Sequence, residues 1–243
     1  MVVMSGSSEF SGHCLNKVVN DVLHKPYTLR ALTGVMVRYC LGCGQNGCAF
    51  RADDSLVLKV STHEGEAPIA QVVKGPARAW PFLPIFYGAW VVPGSTIGRP
   101  HNVGITLRED LIDFSPDHPK QFMKEATDFL HAAIEAGTDH KVQDLRRGLV
   151  PVLAEMTTED SKALRMLADF AVWSVHYELG FDLREFAGSL SITNLGQSLE
   201  DDAVVIRDLG NFDEAEGSLE RVRRATLQRA RDRSAQVRRA ANP

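Results

Sequence analysis

Residues 39–60, YCLGCGQNGCAFRADDSLVLKV, combine Gly42, Gly44 and Gly47 with a lysine, Lys59, near the end of an apolar run. Glycines spaced G-x-G-x-x-G let a backbone approach phosphate groups closely, because no side chain stands in the way. A lysine adds a positive charge that pairs with phosphates. The chemistry that this stretch could perform is therefore the binding of a nucleotide through its phosphates.

The pattern around the glycines predicts three short strands. One strand runs up to the glycines, CAFRA forms the second, and LVLKV, after the turn DDS, forms the third and carries Lys59. The glycines would then lie on a hairpin. In kinases a glycine-rich hairpin covers the phosphates, and the next strand delivers a lysine to them.

Three other kinds of site fit this stretch less well. A P-loop requires Lys and Ser/Thr where Cys48 and Ala49 stand. A dinucleotide-binding turn must lead into a helix, whereas a strand is predicted after Gly47. Zinc could bind Cys40, Cys43 and Cys48, but the spacing C-x2-C-x4-C matches no common zinc module and no second cysteine pair exists.

A kinase-type site also needs an Asn and an Asp that hold magnesium. Asp208 follows an apolar strand in VVIRDLGNF, where DLG resembles the DFG motif of kinases. Asn194, in SITNLG, lies 14 residues earlier, and SLEDDA between them predicts a hairpin turn. These residues are the predicted metal ligands.

The elements that must position these residues change character along the chain. LPIFYGAWVV and NVGITL predict two further strands, and the segment between Lys59 and these strands predicts one short helix. After residue 110, SPDHPKQFMKEATDFLHAAIEAG and TTEDSKALRMLADFAVWSVHYELG predict helices with one apolar face each. The sequence therefore predicts an α+β protein with a strand-rich first half and a helix-rich second half.

Composition and charge are those of an ordinary globular protein of 243 residues. The sequence shows no secretory signal and no segment that could span a bilayer, so we expect a cytoplasmic protein with four reduced cysteines. The net charge of −4 is unevenly distributed. Residues 217–243 carry eight arginines against Glu220 and Asp232, which gives +6 and leaves −10 for the rest. Such a basic segment suggests an acidic partner.

Taken together, these motifs resemble the protein-kinase-like fold, and the chain is most similar to the early protein kinases of lytic tailed bacteriophages, which help to shut off host functions. The glycine loop, the lysine strand, the compressed catalytic region and the arginine-rich segment carry this resemblance over about residues 35–240. It implies a two-lobed fold with a small antiparallel β-rich N-lobe and a helical C-lobe. The implied parts are an extension (1–34), an N-lobe (35–107), a C-lobe (108–216) and an arginine-rich helical tail (217–243).

The resemblance also implies roles for individual residues. Those implied to contact ATP are Gly42, Gly44, Gly47, Lys59, Glu66 and Glu109, and those implied to hold Mg²⁺ are Asn194 and Asp208. Glu64 or Glu66 would pair with Lys59, and Glu109, in GITLRED, lies where the two lobes would join. The chain departs from the family at the catalytic Asp, because Ser189 occupies that position. Asp182, in GFDLREF, could replace it but lies twelve residues before Asn194.

The function implied by the resemblance is ATP- and Mg²⁺-dependent phosphate transfer to a Ser or Thr of a host protein, in the cytoplasm of a bacterial host. Ser189 favours an alternative, a pseudokinase that binds and inhibits a host protein. A small-molecule phosphotransferase is a third possibility, although its usual H-G-D motif is absent. The tail would contact the host protein, or weakly a nucleic acid, and no membrane. Its predicted packing stripe consists of Leu219, Val222, Thr226, Ala230 and Val237.

Overall fold

The computed structural model describes most of the chain from residue 26 onwards. The described residues are 26–44, 47–61, 64–96, 99–116, 118–137, 160–179, 190, 192–209 and 217–241. They divide into two compact units. The first consists of Met1–Pro76 and Ile85–Asp110, and the second of Ala77–Pro84 and Leu111–Pro243.

The first unit is built on a five-stranded antiparallel sheet. Its elements are α1 (Pro26–Thr33), β1 (Tyr39–Gly44), β2 (Gly47–Asp53), β3 (Leu56–Ser61), α2 (Ala67–Val73), β4 (Phe86–Thr96) and β5 (Arg99–Glu109). The strand order is β1-β2-β3-β5-β4. After β3 the chain forms α2 and then β4, which lies at the edge of the sheet. β5 returns between β4 and β3 and pairs with both.

Alternating side chains of these strands form the core of the first unit. Phe50, Leu58 and Val60 are fully buried, and Ile105 joins them from β5. Leu29 of α1 packs against the same cluster. Successive strand residues point to opposite faces of a sheet, so the period of two in β2 and β3 places one set inside. Each such side chain contributes roughly 1.5–3 kcal/mol by its burial.

The second unit combines two long helices with a small sheet. Its elements are β6 (Leu111–Asp113), α3 (Pro119–Gly137), α4 (Asp160–His176), the 3₁₀ turn η1 (Ile192–Asn194), β7 (Leu195–Ser198), β8 (Val204–Ile206) and α5 (Ser218–Ala241). The three strands are antiparallel in the order β6-β7-β8.

The apolar faces predicted for α3 and α4 are the faces that the protein buries. The buried residues of α3 are Phe122, Ala126, Phe129 and Leu130, and those of α4 include Leu164, Leu167 and Ala171. An aromatic cluster adjoins them, in which the ring centroids of Phe82 and Trp173 lie 5.1 Å apart and those of Trp80 and Trp173 lie 5.7 Å apart. The segment of residues 77–84 therefore supplies two core aromatic rings to the second unit.

The α+β class predicted from the sequence is confirmed. The three strands predicted between residues 35 and 60 and the short helix after them are present, and both long helices have the predicted apolar faces. The first strand, which was predicted to end before the glycines, instead begins at Tyr39 and includes Gly42 and Gly44. Within the described residues, no helix has both the length and the apolar character that crossing a bilayer requires.

Arg78 connects distant parts of the second unit. Its Nε and Nη2 donate to the two carboxylate oxygens of Asp201 at 3.1 and 2.9 Å, and its Nη1 donates to the Leu83 carbonyl at 2.7 Å. The Arg78 guanidinium, mainly by hydrogen bonding, holds the pKa of the Asp201 carboxyl below its ordinary value. Arg78 therefore binds the β7–β8 turn to the segment of residues 77–84.

The Arg78–Asp201 ion pair makes the free energy of unfolding depend on pH. A carboxyl whose pKa is lower in the folded than in the unfolded state stabilises the protein above its unfolded pKa, about 3.9. That contribution is lost as the pH falls through the folded pKa. Asp201→Asn should therefore make the free energy of unfolding fall less steeply between about pH 4 and pH 2. Urea denaturation at several pH values measures this slope.

Asp202→Asn, a change to an exposed carboxylate on the same turn, is the matched control and should keep the wild-type slope. Equal slopes for Asp201→Asn and the wild type would contradict a stabilising role for the Arg78–Asp201 pair.

Candidate functional site

The glycine-rich stretch forms a β-hairpin. β1 pairs with β2 antiparallel, with Gly44 opposite Gly47 and Cys43 opposite Cys48. Residues 45–46, between the two strands in the sequence, lie outside the described part of the chain. A strand, and no helix, follows Gly47. The glycines therefore lie on a hairpin between two strands, and the helix that a dinucleotide-binding turn requires does not follow Gly47.

The structure gives a packing reason for glycine at one of two positions of the motif. A Cβ atom at Gly47 would overlap the Val60 carbonyl oxygen and lie 2.9 Å from Ser61 Cα, so the close approach of β3 requires glycine there. A Cβ atom at Gly42 would have no heavy atom of the described chain within 4 Å. Packing within the protein therefore explains glycine at position 47 but not at position 42.

Lys59 lies in the middle of the sheet and forms a nearly buried ion pair. On β3 it stands opposite Ala49 of β2 and Thr106 of β5. Its Nζ lies 3.5 Å from Oε2 of Glu66, and the two side chains are 15% and 2% exposed. Thr106 Oγ1 donates to Glu66 Oε1 at 3.0 Å. Both carboxylate oxygens of Glu66 therefore have a partner within the first unit.

The local sequence explains why Glu66 reaches this position. Glu66 immediately precedes α2, whose early Pro68 suits a first helical turn, where no backbone N–H is needed. α2 buries Ala67, Ile69, Ala70 and Val73, which fixes its inner face. The other candidate partner of Lys59, Glu64, accepts instead from the Asn102 side-chain amide. Of the two candidates, Glu66 therefore forms the pair.

A buried ion pair of this kind calls for an explanation. Removing both charges from water costs several kcal/mol per ion, and their mutual attraction recovers this only with good geometry. Apolar residues of similar size would often stabilise a core at least as well. A nearly buried ion pair between Lys59 of the central strand and Glu66 thus favours a chemical role over a purely structural one.

Glu109 occupies a structural position. It is buried, its Oε1 accepts from the Ile85 N–H at 2.8 Å, and its own N–H donates to the Ile85 carbonyl at 3.0 Å. These bonds hold the start of β4 beside the end of β5. Contact between Glu109 and a cofactor stays a prediction, and the structure adds this backbone role.

Asn194 and Asp208 lie at the same end of the β7–β8 hairpin. Leu195 pairs with Ile206, and the Arg207 N–H donates to the Asn194 carbonyl at 2.7 Å. Asn194 is half-buried and Asp208 is exposed. The hairpin thus brings together two residues that are 14 positions apart. Their amide and carboxylate oxygens are the hard ligands that Mg²⁺ prefers.

The structure does not test the two catalytic candidates, and it gives no metal site at the cysteines among the described residues. Asp182 and Ser189 lie outside the described residues, so their roles stay predictions. In the part of the chain that is described, no group of three or more His, Cys, Asp or Glu side chains could hold a metal ion. This gives no support to zinc at the cysteines of the hairpin.

Two features of the site were missed from the sequence. Thr106 was not recognised as the second partner of Glu66, because its place opposite Lys59 depends on the pairing of β3 with the distant strand β5. Cys43 and Cys48 were expected to be reduced, whereas the structure joins them in a disulfide. The signal was available in their separation of five, because strands that pair Gly44 with Gly47 place Cys43 opposite Cys48.

The first half of the arginine-rich helix α5 packs within the second unit. Val222 is fully buried, and Thr226 Oγ1 accepts from Trp80 Nε1 at 3.1 Å. The Arg229 guanidinium lies 4.5 Å from the centre of the Trp80 ring and donates to the Ala79 carbonyl at 3.2 Å. The tail is therefore part of the second unit as far as these contacts reach.

The second half of α5 leaves this surface. Ala230 and Val237, which were expected to continue the packing stripe, are exposed. Arg233 still donates to the Arg78 carbonyl at 2.6 Å. The exposed arginines of the helix include Arg223, Arg224, Arg231, Arg238 and Arg239. The end of α5 thus presents a basic surface.

The two glycines provide a matched pair of substitutions. Gly47→Ala should lower the free energy of unfolding by about 1–3 kcal/mol, because the new Cβ overlaps the backbone of β3. Gly42→Ala should change it by less than about 0.5 kcal/mol, because its Cβ meets open space. Urea denaturation measures both. A similar destabilisation by the two changes would contradict the assignment of Gly47 alone to packing.

Comparisons with known proteins leave this site to be interpreted from its own chemistry. Neither a scan against protein-family models nor a search of curated proteins finds a match for this chain. The function is therefore inferred from the Lys59–Glu66 pair, the glycine hairpin, and the position of Asn194 and Asp208 at the same end of the β7–β8 hairpin.

Proposed function

We propose that this chain is an ATP- and Mg²⁺-dependent phosphotransferase of the protein-kinase type that acts on Ser or Thr of a host protein. The observation that carries the proposal is the 3.5 Å pair between Lys59 on the third strand and the buried Glu66 before the next helix. In kinases a strand lysine that contacts the nucleotide phosphates is held by a glutamate of the following helix.

The ion pair suits Lys59 for phosphate binding. A free lysine side chain has four rotatable bonds, and fixing it costs rotamer entropy when a ligand binds. Glu66 and the surrounding strands reduce this cost, because they hold Nζ at one place before binding. Thr106 holds Glu66 in turn. Lys59 would therefore present a positioned charge to the phosphates.

The glycine hairpin supports the same ligand. Gly47 is required by packing, but Gly42 is not. A glycine with open space at its Cβ position suits a backbone that a phosphate group approaches closely. The hairpin is also linked directly to β3, which carries Lys59. Glycine backbone and lysine charge would thus act on one group of phosphates.

Asn194 and Asp208 would hold the magnesium ion. Their donor set fits, because Mg²⁺ is commonly bound by one or two protein oxygen ligands together with water and phosphate oxygens. When bound, the ion neutralises charge on the phosphates. Both residues lie at the same end of the β7–β8 hairpin, where the Arg207 N–H donates to the Asn194 carbonyl.

Transfer itself would depend on the region that includes Asp182 and Ser189. Phosphoryl transfer relies mainly on positioning and charge neutralisation, so a weak base lowers the rate more than it affects binding. Asp182 would orient the hydroxyl of the substrate. Ser189 at the usual Asp position favours the second candidate function, a pseudokinase that binds nucleotide and inhibits a host protein without transferring phosphate.

Nucleotide binding is the first test. Mg²⁺-ATP should raise the melting temperature of the wild type, equivalent to about 2.7 kcal/mol at 100 times the dissociation constant. Lys59→Ala and Asp208→Asn should each weaken binding about 10- to 100-fold, because each removes a charged partner of the ligand. Lys124→Ala and Asp128→Asn, which remove exposed charges from α3, should have no effect.

The combined variant then shows whether Lys59 and Asp208 act on the same nucleotide. Non-additive losses would indicate one shared ligand, since independent sites are additive. The absence of any shift with Mg²⁺-ATP in the wild type would refute the proposal. If nucleotide binds, transfer of labelled phosphate distinguishes the kinase from the pseudokinase, and the kinase requires that Asp182→Asn lowers transfer while Ser189→Ala does not.

The exposed end of α5 should bind an acidic partner. A Glu-rich peptide should bind the protein at low salt and bind more weakly at high salt, because exposed charges are screened. Replacement of Arg231, Arg238 and Arg239 by Ser should reduce this binding several-fold and leave nucleotide binding unchanged. Arg165→Ser, a change to an exposed residue of α4, is the control. Tighter binding of a single-stranded DNA than of the peptide would instead assign the surface to nucleic acid.

A further inference from the structure

Three cysteines lie close together on the glycine hairpin. Cys43 and Cys48 form a disulfide across β1 and β2. The Cys40 sulfur is a free thiol 3.7 Å from the Cys43 sulfur. Cys43 is exposed, Cys40 is half-buried and Cys48 is 2% exposed. The proposed nucleotide site has no use for these sulfur atoms.

A β-bulge is the reason that all three sulfur atoms meet. Residues three apart on a regular strand point to opposite faces of a sheet. The register shifts between Cys40 and Gly42, so that Cys40 stands opposite Phe50 while Cys43 stands opposite Cys48. Cys48 and Phe50 share a face because they are two apart. The extra residue, Leu41, thus brings Cys40 to the same face as Cys43.

We propose that the hairpin is a thiol–disulfide exchange site in which Cys40 and Cys48 compete for the sulfur of Cys43. The Cys40 thiolate attacks the Cys43 sulfur, an S–S bond forms between Cys40 and Cys43, and the Cys43–Cys48 bond breaks. Cys48 leaves as a thiolate and takes up a proton to replace the one that Cys40 lost. The exchange is balanced without an oxidant or a reductant.

An external thiol of the glutathione class can enter at the same sulfur. Cys43 is the exposed member of the disulfide and Cys48 is the shielded one, so attack on Cys43 releases the Cys48 thiolate and forms a mixed disulfide at Cys43. Cys40 can then displace the small thiol and form its own bond to Cys43. Two-electron reduction of either bond by a dithiol yields two protein thiols and one oxidised dithiol.

The two disulfides constrain the hairpin differently. The Cys43–Cys48 bond ties β1 to β2 beside the turn, whereas a Cys40–Cys43 bond lies within β1 and leaves the strands joined by backbone hydrogen bonds. The Cys43–Cys48 bond closes a short loop between residues that already pair, so it constrains the unfolded chain little. The site therefore suits control of the hairpin better than stabilisation of the fold.

The test maps the free thiol in the oxidised full-length chain. Oxidised Cys14→Ser protein is equilibrated with a substoichiometric amount of reduced glutathione and alkylated with iodoacetamide, then reduced, labelled with N-ethylmaleimide and digested with trypsin. All three hairpin cysteines lie in the peptide of residues 39–51, whose fragmentation locates each label. We expect one iodoacetamide label per chain, found on Cys48 as well as on Cys40. Addition of Cys40→Ser should reduce this label from one per chain to none.

Iodoacetamide found only on Cys40 would overturn the exchange, and iodoacetamide on all three cysteines would overturn the disulfide as well. These readouts do not involve nucleotide. A second readout rests on the proposed function: the thermal shift with Mg²⁺-ATP should differ between the Cys14→Ser,Cys40→Ser protein in its oxidised and its reduced form. If Mg²⁺-ATP causes no thermal shift in either the oxidised or the reduced form, nucleotide binding is refuted and the exchange site is unaffected. If the thermal shift is equal in the two forms, the disulfide does not control nucleotide binding.

Discussion

The buried pair of Lys59 and Glu66 is the interaction on which the rest of the first unit depends. Neither charge could remain inside the sheet without the other, because an unpaired buried ion costs several kcal/mol. The pair therefore requires β3 in the centre of the sheet, α2 directly after it, and a hydroxyl from β5 on the second carboxylate oxygen. The strand order, the position of α2 and the hydroxyl of Thr106 together meet that requirement.

The sequence was sufficient to predict what depends on local pattern. The hairpin, the strand of Lys59 and the apolar faces of α3 and α4 arise from alternation and helical spacing within short segments. Contacts between distant segments were not predictable in this way. Whether Glu64 or Glu66 pairs with Lys59 depends on how α2 packs. The proximity of Cys40 to Cys43 depends on a β-bulge, which the residue type at position 41 does not predict.

The arginines of α5 show the same limit. Arg229 and Arg239 are indistinguishable by type and both are exposed, yet the first lies on the Trp80 ring and the second lies in the part of α5 beyond that contact. The difference comes from where the underlying surface ends. The charge pattern therefore predicted a single basic tail, whereas packing divides α5 into a half that contacts the second unit and a half that is exposed.

The packing of α5 on Trp80 also bears on how the chain is made. Trp80 bonds to a residue 146 positions later, and the Ala79 carbonyl accepts from a side chain 150 positions later. Contacts of such long sequence separation form late, and a chain is synthesised from its N-terminus. Until residues 222–229 leave the ribosome, Trp80 lacks the helix that covers it. Nascent chains shorter than this would display an aromatic surface of the kind that chaperones bind.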